Sequence, residues 1–172
     1  KLVGNYTYGT TKKFRVFENE LGNKYLEKTT SIKNYEILKN ISDISIESEN
    51  LLEIIAFNKK DEDTLNYYIE FLEGKTLEQI ILKEESIDYH EVKKIILQIC
   101  NGLKSLHDQD ILHRDIKPAN IILLKDNLVK VIDFDISRKY DESKSKDTTL
   151  LGTPGYAAPE QYGFTQTDFR SD

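Results

Sequence analysis

Methionine is absent, even at residue 1, so the 172 residues read as a piece of a longer protein. Long apolar runs are absent too. None approaches the ~20 residues a bilayer-spanning helix needs, which argues against a membrane span within this segment, and no signal peptide is visible. Positive charge is in deficit: 24 Lys and Arg face 30 Asp and Glu, a net charge of -6. That argues against general nucleic-acid or polyanion binding, which needs a basic face. Cysteine is nearly missing. Cys100 alone cannot form an internal disulfide, which fits a reducing, cytoplasmic setting. It falls on the apolar side of an expected helix and reads as a small buried hydrophobe rather than a reactive thiol. No Cys/His/Asp spacing suggests a zinc site; His90 reads as a solvated helix residue and His107 as a helix-end residue. The length suffices for one core or two small lobes.

What is present centres on His113 to Asn120, His-Arg-Asp-Ile-Lys-Pro-Ala-Asn. The apolar runs Ile121-Ile122-Leu123-Leu124 and Val129-Lys130-Val131-Ile132 follow, each read as a short buried strand. Lys125-Asp126-Asn127 between them is a turn signal. A hairpin therefore carries Asp115 and Asn120 before its first strand and Asp133 after its second. Three side chains able to handle metal or protons converge on one piece of sheet.

These residues resemble the catalytic loop of protein kinases, H-R-D-x-K-x-x-N, followed by the metal-binding D-F-G, here Asp133-Phe134-Asp135. Gly152-Thr153-Pro154-Gly155-Tyr156-Ala157-Ala158-Pro159-Glu160 resembles the end of a kinase activation segment. Lys117-Pro118 resembles the serine/threonine class, and Ala158-Pro159-Glu160-Gln161-Tyr162-Gly163 resembles bacterial members. The resemblance implies an α+β, bilobal fold: an N-lobe of antiparallel sheet plus a helix over residues 1–73, and a mostly helical C-lobe, incomplete here, over 74–172. In the family a large buried helix opens at the aspartate matching Asp172 and anchors the catalytic loop. The chain stops at that residue, so the expectation is that these 172 residues supply no such anchor and make a poor enzyme alone.

Taken in order, residues 1–30 read as three short strands. Gly4 and Gly9 stand where a phosphate loop, G-x-G-x-x-G, would lie, with Tyr6 in place of the middle glycine. The same residues also fit an ordinary strand–turn–strand. Lys24-Tyr25-Leu26-Glu27-Lys28 resembles the family's V-A-I-K strand, which implies that Lys28 grips the α- and β-phosphates, although Lys24 lies nearby. Leu26 stands where the family has a small alanine over the adenine, and a larger side chain there would tighten the pocket. Ser31 to Ile41 reads as a helix. The family's matching helix supplies a glutamate to the lysine; here Asn34 takes that position, and Glu36, two residues on, points to a different face. Either residues are absent before Asn34 or the ion pair is built differently, with Glu36 the remaining candidate.

Leu51 to Phe57 and Asn66 to Leu72 read as strands. The second runs into a segment resembling the hinge, which implies that backbone groups of Glu70 and Leu72 meet the adenine edge, with Ile69 closing the back and Ile122 also contacting the nucleotide. Thr76 to Lys83 reads as a short helix. Asp88 reads as an N-cap with Glu91 three residues later, opening a long helix whose buried face is Val92, Ile95, Ile96, Ile99, Leu103 and Leu106.

The resemblance implies transfer of phosphoryl groups from ATP to Ser/Thr hydroxyls of proteins, with Mg2+, or Mn2+ in its place. Asp115 orients the acceptor hydroxyl, Lys117 neutralises the transferring group, and Asn120 and Asp133 hold the metal. His113 packs beneath Phe134. Thr153 resembles a threonine contacting Asp115 and Lys117. Arg114, preceding the catalytic aspartate, implies control by activation-loop phosphorylation; counting back eleven residues from Glu160 selects Thr149. Autophosphorylation between two copies implies a dimer. Asp135 replaces a glycine, whose backbone freedom aspartate lacks. With Tyr6, Leu26 and Asn34 it leaves open a pseudokinase or nucleotide-binding scaffold. A small-molecule phosphotransferase of the same fold would not be expected to carry Lys117-Pro118 or the Gly152–Glu160 segment.

Overall fold

A computed structural model describes residues 1–8, 12–83, 86–143, 152–163 and 165–172. Five strands form one antiparallel sheet: β1 (Leu2–Tyr8), β2 (Lys12–Glu18), β3 (Lys24–Ser31), β4 (Ile54–Lys59) and β5 (Thr64–Glu70), in the order β1-β2-β3-β5-β4. Alternation sets the faces: Leu65, Tyr67 and Ile69 of β5 are all buried, two residues apart. β3 is paired on both sides, so Lys28 stands on a central strand opposite Tyr67. Helix α1 (Tyr35–Ser45) follows a 3-10 turn at Ile32–Asn34 and packs Leu38 and Ile41 into the core, while Ser42 Oγ donates to the Ile54 carbonyl at 2.8 Å. The expected strand from Leu51 begins only at Ile54. Leu51 and Leu52 are captured instead by the strand at Val131, through a parallel bridge and a Leu52 N–H to Val131 O bond of 2.9 Å.

The second half opens with β6 (Gly74–Thr76) and α2 (Leu77–Leu82), whose capping box is Thr76 and Gln79: Gln79 N–H donates to Thr76 Oγ1 at 3.1 Å, and Thr76 N–H to Gln79 Oε1 at 2.9 Å. Helix α3 (Tyr89–His107) is capped by Asp88, which accepts from His90 N–H at 2.8 Å. Short strands β7 (Ile111–Leu112), β8 (Ile121–Leu124), β9 (Val129–Val131) and β10 (Arg138–Lys139) complete the described elements, in the ladders β6-β8-β9 and β10-β7. The apolar core is continuous, from Val16 and Leu26 through Leu51 and Val131 to Phe134.

The buried stripe of α3 is narrower than expected. Ile95, Ile99, Gly102, Leu103 and Leu106 are buried, but Val92 and Ile96 are exposed, as is Cys100. Successive residues are rotated by ~100° about a helix axis, so Cys100 points away from the face that Ile99 buries. Gly102 sits where α3 crosses Asn50 and Leu51; a Cβ there would meet the Asn50 carbonyl oxygen at 2.8 Å. Helix propensity favours alanine over glycine by about 1 kcal/mol. Overpacking against backbone costs about 1–3 kcal/mol. The clash wins, so Gly102→Ala is expected to lower the urea midpoint rather than raise it.

Candidate active site

The segment His113–Asn120 links β7 to β8 and is clamped before it reaches any substrate. The His113 ring is fully buried, and burial lowers its pKa despite the nearby Asp172, so it is neutral. Its Nδ1 accepts the Asp115 N–H at 3.2 Å, which leaves Nε2–H to donate to the Ile132 carbonyl at 3.0 Å. Its edge packs on Phe134, with centroids 5.5 Å apart. The expected packing role is the observed one. The backbone turns sharply here: Arg114 (φ 67°) and Asp133 (φ 73°) both lie in the left-handed region, at a cost of about 1–3 kcal/mol each that the surrounding bonds must hold.

Asp172 supplies the main clamp. Its Oδ1 accepts the Arg114 N–H at 2.6 Å, and its Oδ2 accepts the His113 N–H at 2.8 Å and His107 Nε2–H at 2.9 Å. Gln161 Nε2 donates to the Arg114 carbonyl at 2.8 Å. This corrects the expectation that nothing in the 172 residues anchors the loop: the side chains of Asp172 and Gln161 hold its backbone. Gln161 had no sequence signal beyond its place after Pro159-Glu160.

Asp115 is surrounded by donors. Lys117 Nζ lies 2.8 and 3.1 Å from its two oxygens. Thr153 Oγ1 donates to Oδ1 at 2.7 Å and accepts from Lys117 Nζ at 2.6 Å. Asn120 Nδ2 reaches Oδ2 at 2.7 Å and the Asp115 carbonyl at 2.8 Å. Pro118 fixes the 3-10 turn that points Asn120 inward. Across the hairpin Ile121 pairs with Val131, and Ile132 N–H donates to Asn120 O at 2.9 Å, so Asn120 and Asp133 end up side by side.

Lys28 closes the other wall. Its Nζ lies 2.8 Å from Asp133 Oδ1 and 3.0 Å from each oxygen of Asp135. Tyr67 stands against it, with the ring centroid 5.5 Å from Nζ and its hydroxyl donating to Asp135 Oδ1 at 2.7 Å. Burial alone would lower the Lys28 pKa, but Tyr67, Asp133 and Asp135 outweigh it and hold the ammonium above its ordinary value. Glu36 is exposed on α1 and takes no part in this cluster, so it is not the lysine's partner. Asn34 does approach: its Nδ2 bonds Thr30 Oγ1 at 2.8 Å and the Asp135 carbonyl at 3.4 Å.

A cavity of about 280 Å³ lies between the two walls. Lys28, Ile69, Leu72, Lys117, Asn120, Ile122, Asp133 and Thr153 all line it. Glu70 does not: its carboxylate accepts from Glu53 N–H and Lys130 Nζ, both at 2.8 Å. Gly4 is exposed in β1 and lies outside the lining. Leu26 is fully buried in the core and does not line the cavity. Phe14, Glu78 and Tyr156 line it without having been singled out in the sequence. Gly9 and Thr149 fall outside the described residues. Among the described residues no cluster of three His, Cys, Asp or Glu side chains suits a metal. Asn120 and Asp133, two hard oxygen donors at one cavity, fit a cation that completes its shell with phosphate and water.

The site thus brings together a clamped loop aspartate, a lysine and a threonine on its carboxylate, and a second lysine paired with an aspartate at the same cavity. Residues 4–172 match the protein kinase domain family, and the chain belongs to it. It is 37% identical over 113 residues to a probable serine/threonine-protein kinase of Clostridium perfringens, covering 64% of this chain and 16% of that protein. It is 35% identical over 124 residues to the probable serine/threonine-protein kinase PknB of Bifidobacterium longum, covering 70% and 18%. A cyclin-dependent kinase-like 2 of Pongo abelii is 31% identical over 173 residues, covering 92% and 33%. The chain therefore spans a third or less of each of these proteins. No described helix is long and apolar enough to cross a membrane.

Proposed function

We propose that this protein transfers the γ-phosphoryl group of ATP to serine or threonine hydroxyls of protein substrates. The observation that carries this reading is the set of bonds on Asp115 from Lys117, Thr153 and Asn120, beside the cavity that also holds Asp133 and Lys28. Asp115 orients the acceptor hydroxyl and takes its proton as the oxygen attacks. Lys117 balances charge on the transferring group. Lys28 binds the α- and β-phosphates. Asn120 and Asp133 hold Mg2+, or Mn2+, which when bound supplies positive charge to the phosphates. Leu72 meets the adenine edge; Ile69 and Ile122 enclose the ring. The halves meet near Gly74, with 1–73 gripping nucleotide and 74–172 presenting the acceptor.

The net charge of -6 disfavours nucleic acid as the target. A dependence on ATP and a lone cysteine fit the cytoplasm. Arg114 and the matching position of Thr149 support activation by autophosphorylation between two copies. Two measurements test the reading. Incubation of the full-length protein with γ-labelled ATP, Mg2+ and a generic protein should yield phosphoserine or phosphothreonine. Label only in free phosphate would contradict it. Phosphopeptide mapping of the active enzyme should recover label at Thr149, and a persistently unmodified Thr149 would remove that site.

A further inference from the structure

Helix α1 offers Lys28 no carboxylate. The residue nearest the lysine's cluster from that helix side is Asn34, an amide, and Glu36 faces solvent. The negative charge arrives instead from the other side of the cavity, 107 residues further along the chain. Both oxygens of Asp135 lie 3.0 Å from Nζ, and two further contacts fix Asp135 itself: Tyr67 Oη on Oδ1 at 2.7 Å and Asn34 Nδ2 on its carbonyl at 3.4 Å. The backbone of Asp135 is not in the left-handed region, so no glycine is required there in this conformation.

Resting on the phosphoryl-transfer reading, we propose that Asp135, held by Tyr67, is the positioning residue for Lys28 and does the work a helix carboxylate would do. Asp133 cannot fill that role throughout the reaction, because its oxygens are the ones that fit a cation. Asp135 then remains the anionic anchor of Lys28. The lysine's placement depends on segment 133–135 rather than on α1, so the metal-ligand candidate and the lysine anchor move as one unit.

The test compares Asp135→Gly, Asn34→Glu and the double variant in the full-length protein, with two readouts. In the nucleotide-free protein, the Lys28 ammonium should give a slowly exchanging 15N-detected NMR signal. Asp135→Gly leaves only Asp133 as a carboxylate partner and should make that signal exchange faster, and the double variant should slow it again. Calorimetric Mg-ATP affinity should weaken about tenfold in Asp135→Gly, as expected for one charged hydrogen-bond partner, and the double variant should return to within about threefold of the parent. Tyr67→Phe should shift both readouts the same way by less. A signal and an affinity unchanged in Asp135→Gly would overturn the proposal, as would a double variant no better than the single one. A parent protein that protects Lys28 but binds no Mg-ATP would sink the phosphoryl-transfer reading instead, leaving the Lys28 anchor standing.

Discussion

Asp115→Asn should reduce phosphoryl transfer by on the order of 10²–10³, with little change in the KM for ATP. The carboxylate is placed by donors alone: Lys117 and Thr153 on one side, Asn120 on the other. Substitution by an amide removes the base and also turns an NH₂ towards one of those donors. Two effects must therefore be separated. Loss of the base lowers kcat and leaves nucleotide affinity alone. A repacked loop would change the unfolding midpoint and nucleotide affinity together. The first pattern is the expected one, read from steady-state kinetics beside a thermal melt. Equal label transfer by Asp115→Asn and the parent would mean that the bonds around Asp115 serve packing only.

Asp172→Ala should be the most destabilising single change at the site. It strips acceptors from the buried N–H groups of His113 and Arg114. Each orphaned buried donor costs about 1–3 kcal/mol, so a loss of about 2–6 kcal/mol for the two is expected in urea unfolding of the full-length protein. A pH signature identifies the cause. Burial pushes the Asp172 carboxyl up, but bonds from His107 and from the Arg114 and His113 amides outweigh it and hold it below its ordinary value of 3.8. A carboxylate with a lowered folded pKa stabilises above its unfolded pKa, and that contribution fades as pH falls through the folded one. The stability gap between parent and variant should therefore be constant at neutral pH and narrow below about pH 4. A gap that stays constant into acid would assign the effect to lost packing.

Local chemistry was legible in the sequence and remote pairing was not. The β8–β9 hairpin and the Asp88 cap follow from apolar runs, turn residues and a cap residue within a few positions of one another. The loop around Asp115 could be read for the same reason: Asp115, Lys117 and Asn120 lie in one short run. Periodicity named too wide a stripe on α3, because it records which residues are apolar and not what covers them; Val92, Ile96 and Cys100 stand outside the strip that Leu51 and β9 cover. Lys28 lines the cavity, but its partner was sought on the neighbouring helix. The carboxylate came from Asp135, through a contact no local pattern encodes. Asp172 was noticed only as the start of something further on, yet its own two oxygens organise the loop. Glu70 was read for its backbone alone, and nothing local announced that its carboxylate is committed to Lys130 and the Glu53 amide.

The most direct test of the account is a crystal structure of the full-length protein with Mg2+ and a non-hydrolysable ATP analogue. Adenine is expected between Ile69, Leu72 and Ile122, with Lys28 on the α- and β-phosphates and Mg2+ on oxygens of Asn120 and Asp133. Clear density for the analogue away from this cavity, or a bound metal that neither Asn120 nor Asp133 touches, would contradict it.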